Sequence, residues 1–73
     1  MSDGIQRTKL CEDVANCITE NIRSQRWREG MKIPSEPALA EMLGVSRATV
    51  RTAVKLLQLS GVLRSRGGSG TYV

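Results

Sequence analysis

No histidine and no phenylalanine occur in this 73-residue chain, and Trp27 and Tyr72 are its only aromatic side chains. Without imidazole there is no histidine-based catalytic triad. A zinc site could draw only on Cys11 and Cys17 plus carboxylates, a poor match to the Cys and His sets of structural zinc sites. If both thiols lie on one helix, their separation of six residues puts them too far apart, along and around it, for a disulfide. Each therefore reads as a small core or surface residue. Binders of single-stranded nucleic acid present several aromatic stacking platforms, so a single Trp27 between Arg26 and Arg28 reads instead as a plug over the end of the first helix. No apolar run approaches the roughly 18 residues of a membrane span. The opening Met-Ser-Asp-Gly-Ile-Gln lacks the basic-then-apolar order of a signal peptide. A cytoplasmic chain with no membrane partner, no metal and no cofactor is expected.

What is present is a basic balance with an uneven distribution. Eleven Lys and Arg against seven Asp and Glu give a formal charge of +4 and a pI near 9.7. From Glu36 onward the bases are Arg47, Arg51, Lys55, Arg64 and Arg66, against the acids Glu36 and Glu41. A basic excess gathered in one half suits a polyanionic partner. The length allows one small domain with a thin core, because a chain of this size buries only about 60% of its unfolded surface.

The first firm helical pattern is Leu10, Cys11, Val14, Ala15, Ile18 and Ile22, ringed by Glu12, Asp13, Asn16, Glu20 and Arg23. It reads as a core helix. Its polar face mixes both charges, unlike the Lys/Arg-rich face of a membrane-surface helix. Residues 1–9 are expected to form a partly disordered lead, with Ile5 to Lys9 open to reading as the first turn of this helix. After a connection through Trp27 and Gly30 comes a short extended piece, Met31-Lys32-Ile33, stopped by Pro34. Ser35 then caps the next helix, where Pro37 falls in the first turn and its missing amide costs little.

The pattern from Pro34 to Leu57 is two short helices and a turn. Leu39, Ala40 and Leu43 give the first helix an apolar edge. Gly44 sits where a C′ residue must adopt positive φ. Val50, Ala53, Val54 and Leu57 then follow i, i+3, i+4, i+7, which turns Arg47, Ala48, Arg51, Thr52 and Lys55 outward. That outward face holds three cations, two small groups and no acid. A groove walled by phosphates repels carboxylates and admits small residues close to base edges. Many soluble helices have a basic exposed face, and it is the glycine turn that gives this one its meaning. Ser46 is placed as the N-cap, leaving other first-turn amides for a phosphate.

Ser60-Gly61 ends the second of these helices. Residues 62–66 and 71–73 then read as strands around Gly67-Gly68-Ser69-Gly70. A nucleotide-binding loop would need a helix after its glycines, whereas here the chain returns as a strand. The glycines are a hairpin tip whose backbone could approach a phosphate or the minor-groove floor, with Arg64 and Arg66 adding charge.

Pro34-Ser35-Glu36, Leu39-Ala40, Leu43-Gly44-Val45-Ser46-Arg47, Thr49-Val50-Arg51 and the closing Gly70-Thr71-Tyr72-Val73 together resemble the DNA-binding domain of the GntR family of bacterial transcription regulators, over roughly residues 14–73. The resemblance implies an operator-binding domain, used as a homodimer on palindromic double-stranded DNA in regulators that include repressors. A larger C-terminal domain, absent from these residues, is expected to carry the small-molecule effector. It further implies phosphate or base contacts from Ser46, Arg47, Thr49 and Arg51, with Gly68 and Ser69 at a wing tip. Many members carry a basic DNA-touching residue after the Ser-Glu pair. Pro37 stands in that place here. Where members usually have Pro-Gly, this chain has Glu29-Gly30.

The expected fold is α+β and mostly helical: a winged helix-turn-helix over residues 10–73, with the helix-turn-helix at 36–55 and a small antiparallel wing at 62–73. The expected interface is Ser46, Arg47, Thr49, Arg51, Lys55, Arg66, Gly68 and Ser69. Two rivals differ in kind. A protein-interaction winged helix should show apolar or mixed residues where Arg47, Arg51 and Lys55 stand. An enzyme would need a nucleophile with a base, and no pair here qualifies.

Overall fold

Three helices and a two-stranded antiparallel sheet follow in order in the computed structural model, which describes the backbone of residues 3–73 and the side chains of residues 10–73. Helix α1 spans Asp3–Arg23. Its backbone is therefore helical well before Leu10, and the expected lead overlaps it except at Met1 and Ser2, which lie outside the described residues. Cys11, Val14 and Ile18 are buried along its core face, with Ala15 and Ile22 packed beside them. Leu10, expected on this face, is 44% exposed. It stands at the edge of the stripe, bordering a shallow hollow with Leu43 and Val45. Both cysteines are free thiols.

Gln25 ends α1 in the left-handed region, at φ 69°. Its N–H donates to Ile22 O, and that of Trp27 to Asn21 O, each at 3.1 Å, so carbonyls orphaned by the helix end are used. Trp27 packs against the core as the plug that the sequence implies.

Residues 30–33 do more than connect. Gly30 N–H donates to Val73 O, Ile33 N–H to Thr71 O and Val73 N–H to Met31 O, each at 2.9 Å, and Lys32 lies opposite Tyr72. Strand β1 (Arg64–Ser65) occupies the other side of β2 (Thr71–Tyr72), with Arg64 opposite Tyr72 and Ser65 opposite Thr71. The hairpin is thus tied to the chain that enters the second helix. Its first strand is shorter than residues 62–66 because Val62 and Leu63 give their N–H groups to Leu57 O, at 2.9 and 3.2 Å.

Helix α2 (Glu36–Leu43) starts where Ser35 Oγ accepts the Ala38 N–H at 3.3 Å. It stops at Gly44, φ 69° and ψ 34°, whose N–H returns to Ala40 O. Helix α3 (Arg47–Leu59) packs against both α1 and α2. Val50 and Ala53 have 0% exposure, and Val54 and Leu57 join Ile18, Ile33, Leu39 and Leu63 in the same core.

Gln25 and Gly44 share φ 69°, so exchanging their chemistry should move stability in opposite directions. At Gly44 a Cβ meets nothing within 4 Å, which leaves only the backbone penalty: Gly44→Ala is expected to cost about 1–2 kcal/mol. Gln25→Gly is expected to gain up to about 1 kcal/mol. Urea midpoints at unchanged m-value measure both.

Candidate nucleic-acid interface

The N-terminus of α3 is built by two hydroxyls. Ser46, at φ −75° and ψ 157°, accepts the Thr49 N–H at 3.1 Å, and its Oγ lies 2.9 Å from Thr49 Oγ1. Thr49 is 8% exposed, so little of its side chain faces solvent. The i−1 neighbour of core Val50 falls inward, so Thr49 braces the exposed Ser46 from beneath. The first-turn amides of α3 have no intrahelical acceptor and sit at the positive end of the helix dipole.

Arg47, Ala48, Arg51, Thr52 and Lys55 are exposed, as the periodicity implies. No acid lies on α3, but one reaches its face from α2: Arg51 Nε–H donates to Glu36 Oε1 at 3.3 Å. The other ion pair among the described residues joins Glu20 and Arg23 on α1 at 3.9 Å, so neither Arg47 nor Lys55 pairs with a described residue. The basic stretch ends after Lys55, where Leu56 and an 82% exposed Leu59 follow.

The hairpin tip closes on itself. Ser69 donates both its N–H and its Oγ–H to Arg66 O, each at 2.9 Å, while Tyr72 Oη–H reaches Ser69 Oγ at 3.4 Å. The Arg66 guanidinium carbon stands 5.1 Å from the Tyr72 ring centre, a cation–π contact worth about 0.5–1 kcal/mol at an exposed site. Ser69 is therefore a brace of the tip as well as an exposed residue. Gly67 and Gly70 hold φ 49° and 134°. Gly68 lies outside that left-handed range, and a Cβ on it would meet nothing within 4 Å. Its smallness answers to nothing inside the chain.

Two members of this surface escape sequence reading. Glu36 is one, because its partner is 15 positions away. Lys32 is the other: a Cβ on Gly70 would lie 2.5 Å from Lys32 Cε, so the lysine stem lies against the tip end of the hairpin. The alternation of exposed Lys32 with buried Ile33 is the signal that could have found it. An open hollow lined by Lys32, Ser35, Glu36, Ser65, Gly68 and Ser69 runs from the hairpin to the start of α2. Through Glu36 it reaches Arg51, so the α3 face and the hairpin form one continuous surface. Among the described residues no group of three or more His, Cys, Asp or Glu could hold a metal ion, and no helix is long and apolar enough to cross a membrane.

A glycine-turned helix pair, a capped and basic α3, and a hairpin flanking it define a winged helix-turn-helix domain. The family model for bacterial regulatory proteins of the gntR family matches residues 10–73, and the chain belongs to that family. It is similar to the HTH-type transcriptional regulator TauR of Rhodobacter capsulatus, with 50% identity over 56 residues, 77% of this chain and 12% of that protein. The mannosyl-D-glycerate transport/metabolism system repressor MngR of Escherichia coli is 42% identical over 64 residues, 88% of this chain and 27% of that protein. Of solved structures, AraR(DBD) in complex with operator ORX1 matches with a TM-score of 0.84 at 36% identity, over 88% of this chain and 77% of that one. The chain thus spans 12–27% of the length of these two curated relatives.

Ser46→Ala removes the cap and is expected to cost about 1 kcal/mol, seen as a drop in Tm of roughly 4–8 °C for a domain of this size. Thr49→Val keeps the Thr49 N–H bond to Ser46 and should cost no more than about 1 kcal/mol.

Proposed function

We propose that this chain is the operator-recognition domain of a bacterial transcription regulator, binding double-stranded DNA sequence-specifically with α3 in the major groove and the glycine-tipped hairpin on the flank. The observation that carries the reading is the exposed Arg47 beside the Ser46 cap, with no ion-pair partner among the described residues, near a hairpin whose Gly68 would meet no described atom within 4 Å if it carried a Cβ. A helix entering N-terminus first brings Ser46 and the first-turn amides to phosphate, and Arg47 and Arg51 to guanine edges or phosphate. Thr49 serves by holding Ser46. Lys55, Arg66 and Lys32 add charge toward the backbone, and Gly68 and Ser69 carry the tip to the flanking groove.

The operator complex of the structurally similar AraR(DBD) supports this reading. In the full-length regulator the domain acts as a homodimer on a palindrome, with half-sites about 10 bp or a multiple apart, and the effector binds a further C-terminal domain. The role is non-enzymatic and cytoplasmic. The protein-interaction alternative has the exposed Leu56 and Leu59 in its favour. They lie at the far end of α3 from its capped N-terminus, so a partner contact there leaves Arg47 free for DNA.

Selection of the chain on a random duplex library, then titration of the enriched and a scrambled duplex across a salt series, tests the proposal. An enriched site and a steep salt slope on both duplexes are expected; no binding at low salt would overturn it. Arg47→Ala should lower affinity for the enriched duplex by about 1–3 kcal/mol if Arg47 reads a base pair bidentately, and should weaken enriched and scrambled duplexes alike if it holds phosphate. Gly68→Ala separates fold from function: it should leave stability unchanged or raise it by up to about 1 kcal/mol, while weakening binding to the duplex.

A further inference from the structure

Among the described residues, Arg51 is the one cation of the outward α3 face that meets a carboxylate, and the atoms that meet decide what it can still do. The contact is through Nε, at 3.3 Å from Glu36 Oε1, with the Arg51 side chain 66% exposed. A guanidinium can grip a partner along its Nε side or with the fork formed by its two terminal nitrogens. Glu36 occupies the first and leaves the second without a hydrogen-bond partner among the described residues. It also neutralises the pair, so Arg51 offers a phosphate less attraction than the unpaired Arg47. A guanine edge, neutral overall, loses less by this than a phosphate does, because O6 and N7 are read by the geometry of two hydrogen bonds. Glu36 is itself fixed: it is the first residue of α2, next to the Ser35 cap and followed by Pro37, where the helix dipole favours an acid.

We infer that Glu36 is a specificity-determining positioning residue, whose carboxylate orients the Arg51 fork toward a base pair and withholds it from phosphates. The inference rests on the DNA reading above and divides labour within it: Arg47 supplies attraction to the backbone at the capped helix end, and Arg51 supplies discrimination. An exposed ion pair adds little to stability, so the effect of removing the acid should appear in binding and not in folding.

The test is a cycle of E36A, E36Q, R51A and the double variant E36A/R51A, each titrated with the duplex enriched by the parent chain and with a scrambled duplex. E36A should bind scrambled DNA more tightly, while its preference for the enriched duplex falls by about tenfold. E36Q keeps an acceptor for Nε–H without the charge: it should also gain scrambled-DNA affinity but retain the parent's preference. In the R51A background, E36A should change the preference no further. Equal tightening on both duplexes by E36A, or a further loss of preference in the double variant, would overturn the inference. A parent chain that binds no duplex at low salt would overturn the DNA reading itself. Thermal melts of E36A and E36Q within a few degrees of the parent separate both results from misfolding.

Discussion

The close approach of α3 to α1 and α2 through Val50 and Ala53 is the contact on which the rest depends. Both have 0% exposure, and Ala53 carries no side chain beyond Cβ, so the neighbouring helices can come near the α3 backbone at that turn. A larger residue there would push α3 outward, and overpacking of a close-packed core typically costs about 1–3 kcal/mol. Once Val50, Ala53, Val54 and Leu57 point inward, the rotation of α3 is settled and each outward residue has its direction at about 100° per residue. The recognition surface is thus determined from within. Arg47 and Arg51 are exposed because four apolar residues are not.

A core this small leaves little margin, and local devices carry much of the specification. Ser35 and Ser46 cap their helices, Gly44 turns between them, and Thr49 supports Ser46 from a buried position. Each contributes about a kilocalorie, comparable in sum to the net stability of a domain this size. The same devices serve the surface. A cap that engages the Thr49 amide leaves other first-turn amides without a protein acceptor, which is the electrostatic condition for an anion at that end.

Legibility in the sequence follows the range of the interaction. Helix periodicity, capping serines and the glycine turn act within three or four residues, and α2, α3 and the outward positions of Arg47, Arg51 and Lys55 are found as read. The winged architecture is legible in the same way. What escapes is non-local or carries too few residues to form a pattern. The two strands have two residues each, too short for alternation to show, so the pairing of residues 30–33 with β2 has no local signature. Glu36 meets Arg51 across 15 positions. Thr49 lies next to the i, i+3, i+4, i+7 stripe, belonging neither to it nor to the outward face of Arg47, Ala48, Arg51, Thr52 and Lys55, so periodicity alone does not announce its burial. The backbone helix before Leu10 has no apolar stripe to announce it.

The pairing of residues 30–33 has a mechanical result that a free hairpin would lack. Main-chain bonds join Thr71 of β2 to Ile33 and the adjacent Val73 to Met31, and Ile33 is buried in the core as the residue before Pro34, which leads directly into the Ser35 cap. Lys32 lies across Gly70 from the same short segment. The base of the wing is therefore fixed to the start of α2 by backbone hydrogen bonds, and α2 is fixed to α3 through the Gly44 turn and the shared core. A two-stranded hairpin alone is marginal in water, and its tip would sample many orientations relative to the helix. Anchored on its second edge, it keeps one spacing from α3, and under the proposed function that spacing lets a groove and its flank be read with little further ordering of the protein on binding. On the same proposal, Arg66, Gly68 and Arg47 act as parts of one surface.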